Sequence, residues 1–324
     1  MTAMTMAGAL NAGLRSAMER DPKVVLLGED IGTLGGVFRV TDGLQKDFGQ
    51  HRVFDTPLGE SGIIGAAIGL AMRGYRPVCE IQFDGFVYPA FSQIVSQLAK
   101  VHARSRGQIT MPVTIRIPFG GGIGAVEHHC ESPETYFVHT AGLKVVTCAN
   151  AADAYGMIQQ AIACDDPVVF FEPKRRYWEK GEVVPGGAAP PLWSARVARP
   201  GRDVTLVAYG PMVQTCLEAA AAAVEEGHEV EVIDVRSLSP LDLPTVLESV
   251  RRTGRCIVVH EAPGTLGLGA ELAARLSEEL YYEMEAPVLR VTGPDVPYPP
   301  ARIENEYLPD IGRVLIAIDR SLAF

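Results

Sequence analysis

The sequence predicts an α/β fold made of two domains. Short runs rich in Val and Ile alternate with helix-length amphipathic segments along the whole chain, which is the pattern of parallel strands joined by helical crossovers. The alternation breaks once, between Val184 and Gly201, where Pro185-Gly186-Gly187-Ala188-Ala189-Pro190-Pro191 is too rich in proline and glycine for a helix or a strand. We therefore predict a first domain over residues 1–184, a linker over 185–201 and a second domain over 202–324.

Five β-branched, apolar runs of the first domain have the length of buried strands in a parallel sheet. They are Val24–Leu27, Val78–Ile81, Val113–Ile117, Lys144–Thr147 and Val168–Phe171, with a shorter strand at Val53-Phe54. Three clear helices lie between them, at Ser61–Met72, Tyr88–Arg104 and Ala152–Cys164. Asn150 is placed to cap the last helix, because its side chain can accept a hydrogen bond from the first turn. We expect a parallel sheet with helices on both of its faces.

The second domain shows the same alternation and predicts a second α/β unit. Its predicted strands are Val204–Tyr209, Glu229–Val235, Cys256–His260 and Val288–Thr292. Its predicted helices are Met212–Glu226, Leu241–Arg252, Gly269–Tyr282 and Ile311–Leu322.

Composition and charge exclude several classes of protein. The chain has 324 residues, of which 47% are hydrophobic and 21% charged, so it can bury one large core or two medium ones. A formal net charge of -10 would repel a nucleic-acid backbone or an anionic membrane surface, so neither is an expected partner. No apolar run approaches the roughly 20 residues that span a bilayer, and the amino terminus lacks a signal-peptide pattern. We expect a cytoplasmic protein whose six isolated cysteines are reduced and buried.

Glu60 lies between the short strand at Val53-Phe54 and the helix at Ser61–Met72. A carboxylate at a helix start interacts favourably with the helix dipole, so one interpretation is a structural first-turn acid. The other is an acid that faces a ligand, because Gly59, Gly62 and the small residues after them leave room for another backbone or a flat cofactor. The residues by themselves leave both interpretations open.

The segment after the strand Val78–Ile81 combines polar and aromatic groups at a strand end, where α/β folds bind ligands. Phe83 and Phe86 can stack on a planar ring, and Gln82 can form a hydrogen bond to its edge. The same side chains would equally suit a core.

A glycine-rich run, Phe119–Ser132, follows the strand Val113–Ile117 and contains the adjacent His128 and His129. Its four closely spaced glycines predict a loop. Because histidine titrates near neutral pH, the loop either supplies an acid-base or oxyanion-binding group or is simply exposed to solvent. No CxxC or HExxH spacing in the chain supports a zinc site.

Over nearly its whole length the chain resembles the beta subunit of the thiamine-dependent decarboxylating component of 2-oxo acid dehydrogenase complexes. The similarity runs through Gly28-Glu29-Asp30, Gly35-Gly36-Val37-Phe38, Arg52-Val53-Phe54-Asp55-Thr56-Pro57-Leu58 with Glu60, Glu80-Ile81-Gln82-Phe83, His139-Thr140-Ala141-Gly142-Leu143-Lys144-Val145-Val146, Arg236-Ser237-Leu238, His260-Glu261-Ala262-Pro263 and Val291–Pro299. It implies a pyrimidine-binding α/β domain followed by a transketolase C-terminal-like α/β domain. It also implies an oxidoreductase that decarboxylates a 2-oxo acid and reductively acylates a lipoyl group on an acyltransferase component.

The resemblance assigns roles to individual residues. Glu60 matches the acid that forms a hydrogen bond to the aminopyrimidine ring of thiamine diphosphate. Phe86 matches the aromatic residue packed on that ring, Gln82 a polar neighbour, and Leu58 a lining residue. His129 matches an active-site histidine that assists lipoyl acylation, although Cys130-Glu131 follow it where the family commonly has Ser-Gln.

The resemblance also implies two metal ions. A potassium ion would be held by the main-chain carbonyls of Val113, Ala161, Ile162, Cys164 and Asp166, since carbonyl oxygens suit a hard monovalent cation. Magnesium in this superfamily is held by a Gly-Asp-Gly segment and a later Asn, and the chain contains no Gly-Asp-Gly. The magnesium and the diphosphate are therefore expected on an alpha subunit, in an alpha-2 beta-2 heterotetramer with the cofactor between unlike chains.

Three motifs resemble the branched-chain type of the family more than the pyruvate type: Glu80-Ile81-Gln82-Phe83, Phe170-Phe171-Glu172-Pro173-Lys174-Arg175 and His260-Glu261-Ala262-Pro263. Pyruvate and acetoin enzymes share much of this framework and stay open as alternatives. A transketolase-like or deoxyxylulose-phosphate synthase fragment would need phosphate-binding basic residues, which we do not identify. A non-catalytic assembly subunit would have no reason to keep Glu60, Phe86 and His129 together.

Overall fold

A computed structural model describes residues 1–324 and consists of two compact units. The first unit is Met1–Phe119 with Tyr136–Leu192, and the second is Gly120–Thr135 with Trp193–Phe324. The predicted fold class is confirmed, since both units are α/β. The division differs from the predicted one at Gly120–Thr135, which the sequence placed in the first domain. Its backbone amides bind acidic side chains of the second unit, and such distant contacts leave no local pattern in a sequence.

The first unit contains eight strands, and six of them form parallel pairs in the order β6, β7, β5, β4, β2, β3. Strands β1 and β8 form a separate antiparallel pair. The five predicted central strands are confirmed, with ends shifted by no more than two residues. The strands are β1 (Thr2–Thr5), β2 (Val24–Gly28), β3 (Val53–Asp55), β4 (Arg76–Glu80), β5 (Thr114–Phe119), β6 (Lys144–Thr147), β7 (Val168–Pro173) and β8 (Lys180–Val183).

The helices that accompany these strands are α1 (Met6–Arg20), α2 (Leu44–Phe48), α3 (Glu60–Met72), α4 (Ala99–Arg104), α5 (Glu134–Val138) and α6 (Ala151–Ala163). The predicted Asn150 cap is confirmed, because its side chain accepts the Asp153 N–H at 2.9 Å. Helix α1 was absent from the sequence prediction. It buries Leu10, Leu14 and Met18, whose spacing is that of one helix face.

The segment predicted as one helix over Tyr88–Arg104 is helical at every residue, but it is not a regular α-helix. The chain instead forms a 3-10 helix over Asp84–Ala90, a π-helical turn over Gln93–Leu98 and then α4. Pro89 lies in the first turn of the predicted helix, where proline is tolerated, so its missing N–H does not by itself explain the change of helix type. The tight 3-10 helix carries Phe86, one of the predicted ligand-facing aromatic residues.

The second unit has a five-stranded sheet in the order β14, β13, β10, β11, β9, in which only the edge strand β9 is antiparallel to its neighbour. Strand β9 lies inside the predicted linker. The strands are β9 (Arg196–Arg199), β10 (Val204–Ala208), β11 (Val230–Asp234), β12 (Ser237–Ser239), β13 (Cys256–Pro263) and β14 (Leu289–Gly293). The helices are α7 (Met212–Ala223), α8 (Leu243–Thr253), α9 (Leu268–Leu280), α10 (Glu304–Tyr307) and α11 (Ile311–Leu322). None of the helices in either unit is both long and apolar enough to cross a membrane.

His260, one of the residues that carries the family resemblance, has a structural position in the second unit. It is fully buried on β13, its Nδ1 lies 3.0 Å from the Ala262 carbonyl oxygen, and its Nε2 accepts the Gly269 N–H at 3.2 Å. Burial lowers the pKa of His260 to about 4. The neutral ring therefore joins the end of β13 to the first turn of α9.

Candidate active site

Glu60 is the first residue of α3, and it is only 8% exposed. Its carboxylate forms no hydrogen bond or ion pair within the chain. A carboxylate without a partner in the chain, on a mostly buried residue, is available to a group from outside the chain. The surface beside it is open, since a Cβ added at Gly59 or Gly62 would meet no atom within 4 Å. This environment is compatible with the ligand-facing interpretation of Glu60, and its place in the first turn of α3 is also that of a dipole-compensating acid.

Glu29, which directly follows β2, is a second acid at this site and was not singled out from the sequence. Its Oε1 accepts the Gly59 N–H at 3.3 Å, which ties it to the residue before Glu60. Burial raises the pKa of the Glu29 carboxyl, and the negative charge of Glu60 raises it further. The signal that could have found it is its place at the carboxyl end of a buried strand.

Gln82 follows β4 and lies at the same carboxyl end of the parallel strands as Glu29. Its Nε2 donates to Asp30 Oδ2 at 3.3 Å, and Asp30 holds a left-handed backbone conformation with φ of 57°. Because β2 and β4 are parallel neighbours, the loops that carry Glu29-Asp30 and Gln82 leave the sheet at the same end. The first unit therefore gathers Glu60, its neighbour Glu29 and the amide of Gln82 at one edge.

Aromatic side chains complete this edge of the first unit. Phe86 is half-buried on the 3-10 helix that packs against α3, and its ring meets the Phe83 ring edge to face with centroids 6.0 Å apart. Phe83 in turn meets Phe38 at 5.6 Å. Leu58, in the loop before α3, is 85% exposed. Carboxyl, amide and aromatic groups on one edge suit a flat, nitrogen-containing ring.

A buried ion pair holds the turn that carries Phe86. Lys174, just after β7, and Asp84, the first residue of the 3-10 helix, form an ion pair in which neither side chain is exposed. The Lys174 ammonium also lies 5.8 Å from the centroid of the Phe83 ring. Lys174 belongs to a segment that carries the branched-chain resemblance and Asp84 directly follows another, but their pairing could be seen only in the fold.

A second buried cluster lies on the three central strands of the first unit. The Arg116 guanidinium on β5 donates to both carboxylate oxygens of Glu172 at 2.7 and 2.8 Å and to Glu80 Oε2 at 2.6 Å. The Tyr177 hydroxyl donates to Glu172 at 2.6 Å, and its ring lies 4.8 Å from that of Phe38. Burial raises the pKa of Glu80, whereas the charges of Glu172 and Glu80 hold the pKa of Arg116 above its usual value despite burial. The cluster joins β4, β5 and β7 directly behind the loop that carries Gln82.

His129 lies in the second unit, in the glycine-rich segment Gly120–Thr135. It ends a short 3-10 helix with Glu127 and His128, and it is only partly exposed. Its Nδ1 lies 3.1 Å from the His128 carbonyl oxygen, a contact that favours the tautomer with the proton on Nδ1 and a basic Nε2. His128 lies 3.5 Å from the Glu127 carboxylate. The predicted loop is confirmed as a loop, and its histidine is partly accessible.

The main-chain carbonyls predicted to hold potassium lie at the start of β5 and the end of α6. The carbonyls of Ile162 and Cys164 each accept a hydrogen bond from Nη1 of Arg76 at 3.1 Å. The Val113 carbonyl accepts the Val168 N–H at 2.9 Å. These oxygens have the right chemistry for a monovalent cation, but two of them already bind a guanidinium. The potassium site stays a prediction.

No group of three or more His, Cys, Asp or Glu side chains in the chain is arranged to hold a metal ion. The open carboxylate of Glu60, by contrast, fits a neutral or protonated ring nitrogen, which is the chemistry of an aminopyrimidine.

Comparison with known proteins agrees with this geometry. The family description "Transketolase, pyrimidine binding domain" matches residues 2–179, and "Transketolase, C-terminal domain" matches residues 194–314. The chain is 59% identical to a protein of Leifsonia xyli named pyruvate dehydrogenase E1 component subunit beta, covering 99% of this chain and 95% of that protein. It is 56% identical to a Mycobacterium tuberculosis protein named 3-methyl-2-oxobutanoate dehydrogenase subunit beta, covering 98% and 92%.

The chain belongs to the family of 2-oxo acid dehydrogenase beta subunits. A Pseudomonas aeruginosa member, named 2-oxoisovalerate dehydrogenase subunit beta, is 46% identical over 99% of this chain and 95% of its own length. A solved structure titled "Split gene transketolase, inactive beta4 tetramer" superposes with a TM-score of 0.83 at 25% identity, covering 99% of this chain and 98% of that one. The family resemblance and the two-domain α/β fold are thereby confirmed. Membership also makes the chain part of a thiamine diphosphate-dependent oxidoreductase.

Proposed function

We propose that the chain is the beta subunit of a branched-chain 2-oxo acid dehydrogenase in the cytoplasm. The enzyme oxidatively decarboxylates branched-chain 2-oxo acids and reductively acylates lipoyl groups on an acyltransferase component. The observation that carries the proposal is the carboxylate of Glu60, which is nearly buried, has no partner in the chain and lies beside an open helix start. The membership of the chain in a thiamine-dependent family gives that carboxylate a ligand.

Four residues of the first unit would hold the pyrimidine end of the cofactor. Glu60 would share a proton with the ring nitrogen, Gln82 would bond the ring edge, Phe86 would pack on the ring face and Leu58 would line the pocket. When bound, thiamine diphosphate supplies a carbon nucleophile and an electron sink for decarboxylation. The contribution of Glu60 is to hold the proton on the ring nitrogen, which favours the tautomer whose exocyclic nitrogen acts as the base.

The diphosphate end needs a second chain. The residues around Glu60 offer carboxyl, amide and aromatic groups but no set of metal-binding side chains. We propose that an alpha subunit holds the diphosphate and magnesium, in an alpha-2 beta-2 heterotetramer. The 85% exposed Leu58 and the bare face of α3 around Gly62 are consistent with a partner that covers this edge.

His129 would act in the second half of the reaction. When the acyl group bonds to one sulfur of the lipoyl disulfide, the disulfide bond breaks and the other sulfur leaves with the electron pair and needs a proton. We assign the donation of that proton to Nε2 of His129 in its doubly protonated, imidazolium form, which leaves the neutral ring with its proton on Nδ1. We also propose that a structural potassium ion binds the carbonyls of Val113, Ala161, Ile162, Cys164 and Asp166, two of which it would share with Arg76.

The substrate class rests on relatives and on motifs. Two of the similar proteins are named 3-methyl-2-oxobutanoate dehydrogenase subunit beta and 2-oxoisovalerate dehydrogenase subunit beta, and three motifs of the sequence resemble the branched-chain type. A pyruvate dehydrogenase beta subunit is the second candidate, favoured by the name of the 59% identical relative.

We predict that the chain, co-expressed with the alpha subunit, turns over 3-methyl-2-oxobutanoate with a kcat/KM roughly 10- to 200-fold above that for pyruvate. An apolar pocket shaped for the branched side chain gains about this much from the additional methyl groups. The measurement is the rate of carbon dioxide release from each 2-oxo acid with an artificial electron acceptor. A preference for pyruvate would replace the branched-chain assignment with the second candidate.

A further inference from the structure

Two carboxylates from far along the chain hold the glycine-rich segment that carries His129: Glu261 Oε2 accepts the Gly121 N–H at 3.0 Å, and Glu304 binds the residues that follow. Glu304 Oε1 accepts the Gly124 N–H at 3.0 Å, and Oε2 accepts the Gly122 N–H at 3.3 Å and the Tyr298 hydroxyl at 2.9 Å. We call these four residues the carboxylate clamp. All of them belong to the second unit.

The backbone of the segment is shaped for this clamp. Gly120, Gly122 and Gly124 have φ of 82°, 83° and 69°, a left-handed conformation that L side chains rarely adopt. Alternation of this conformation along a short run turns successive N–H groups toward one side, where they bind an anion. A Cβ at Gly121 would lie 2.1 Å from the Tyr298 hydroxyl oxygen, so the tyrosine of the clamp rests against the bare backbone. Contact with Tyr298 thus requires a glycine at 121, and the left-handed backbone favours glycine at 120, 122 and 124.

A second attachment point follows His129 directly. Cys130 is 1% exposed and packs with Tyr298, Tyr307 and Leu308 in a small apolar cluster, to which Ala125 also packs. Between the clamp at Gly124 and the cluster at Cys130, Val126, Glu127 and His128 are exposed and His129 is partly exposed. A short turn fixed at both ends presents the histidine.

We propose that Glu304 is a positioning residue for His129, and through it for the transfer of the acyl group to the lipoyl partner. The inference rests on the proposed function for the role of His129, but not for the clamp itself. Charged acceptors form stronger hydrogen bonds than neutral ones, so a carboxylate that binds two amides and a hydroxyl fixes the part of the segment nearest to His129. Without Glu304, Gly124 loses its acceptor and Gly122 keeps only the Tyr298 hydroxyl at 3.3 Å. Glu261 would still hold Gly121, but no side-chain acceptor would remain at Gly124, the last glycine before His129.

The test uses the assembled enzyme with the variants Glu304→Ala, Glu304→Gln and Tyr298→Phe, and with Glu306→Ala as the matched control. Glu306 lies on the same short helix α10 but is exposed and outside the clamp. Amide hydrogen exchange across residues 120–131 should rise by roughly tenfold or more in Glu304→Ala, by less in Glu304→Gln and Tyr298→Phe, and not in Glu306→Ala. The two milder variants keep the proposal testable if Glu304→Ala does not assemble.

Two activities are measured on each variant: reductive acylation of a free lipoyl domain, and decarboxylation with an artificial electron acceptor. Glu304→Ala should lower reductive acylation by a factor that is roughly ten times, or more, the factor by which it lowers decarboxylation. It should lower neither activity further when His129→Ala is already present. Equal loss of both activities, or an equal additional loss in the His129→Ala background, would overturn the positioning role. Unchanged hydrogen exchange in Glu304→Ala would overturn the clamp. If the assembled wild-type enzyme catalysed neither reaction, the proposed function would fail while the exchange experiment still decided the clamp.

Discussion

Glu60→Gln is expected to lower decarboxylation by about 10²- to 10⁴-fold, the usual range for loss of a positioned acid-base group. Glutamine keeps the size and the hydrogen-bonding oxygen of the side chain but cannot share a proton with a ring nitrogen. Because the wild-type carboxylate has no partner within the chain, its replacement by a neutral amide breaks no internal contact. Folding and assembly with the alpha subunit should therefore be unchanged.

The measurement for Glu60→Gln is kcat with saturating 2-oxo acid and thiamine diphosphate, together with the mass of the assembled enzyme. Glu19→Gln, an exposed change on α1, is the matched control and should keep the wild-type rate. Near-normal decarboxylation by assembled Glu60→Gln would remove the role given to this residue. A variant that failed to assemble would show that the carboxylate has a structural function instead.

Arg116→Met is expected to be the most destabilising single change in the core of the first unit. It would leave the Glu80 and Glu172 carboxylates buried without their cation, and loss of one partner of a buried ion pair typically costs about 3–5 kcal/mol. In a unit of this size that corresponds to a fall in thermal midpoint of roughly 6 to 20 °C. Arg15→Met is the matched control, because the Arg15–Asp47 pair at 2.7 Å is partly exposed and should contribute about 0–1 kcal/mol.

The effect of Arg116→Met should depend on pH. Burial already raises the pKa of Glu80, and loss of the nearby cation would raise it further. A carboxyl whose pKa is higher in the folded state favours folding below its ordinary pKa of about 4.3, and this contribution is lost as the pH rises through the folded-state pKa. Calorimetry should therefore show a smaller loss of thermal midpoint at pH 5 than at pH 8. A loss that is independent of pH, or one no larger than that of Arg15→Met, would contradict the assigned burial of these charges.

The strands of both units were predictable because buried parallel strands require runs of β-branched residues, such as Val168–Phe171, that local sequence shows directly. Helix α1 was missed although Leu10, Leu14 and Met18 carry its period. The helix predicted over Tyr88–Arg104 is present, but its change from 3-10 to π to α geometry could not be predicted from apolar spacing. The placement of Gly120–Thr135 in the second unit could not be predicted, since it depends on Glu304 and other acids found more than a hundred residues later.

In the candidate site, too, some features could be predicted from the sequence and others depend on the tertiary fold. From the residues alone, Glu60 could be a dipole-compensating acid or a ligand-binding one, and the family resemblance favoured the second. The structure adds its burial, its lack of an internal partner and the acid beside it, Glu29. The pairs Lys174–Asp84 and Arg116–Glu172 join residues about 90 and 56 positions apart, and only the tertiary fold brings such charges together.

The central claim is that this chain holds the pyrimidine end of thiamine diphosphate through Glu60 and depends on another chain for the diphosphate end. The most direct test is the rate of 3-methyl-2-oxobutanoate decarboxylation by the purified chain, alone and after assembly with the alpha subunit, with thiamine diphosphate and magnesium in excess. We predict no turnover above background for the chain alone and turnover that requires Glu60 in the assembled enzyme. Decarboxylation by the chain alone at a rate comparable to that of the assembly would contradict the claim.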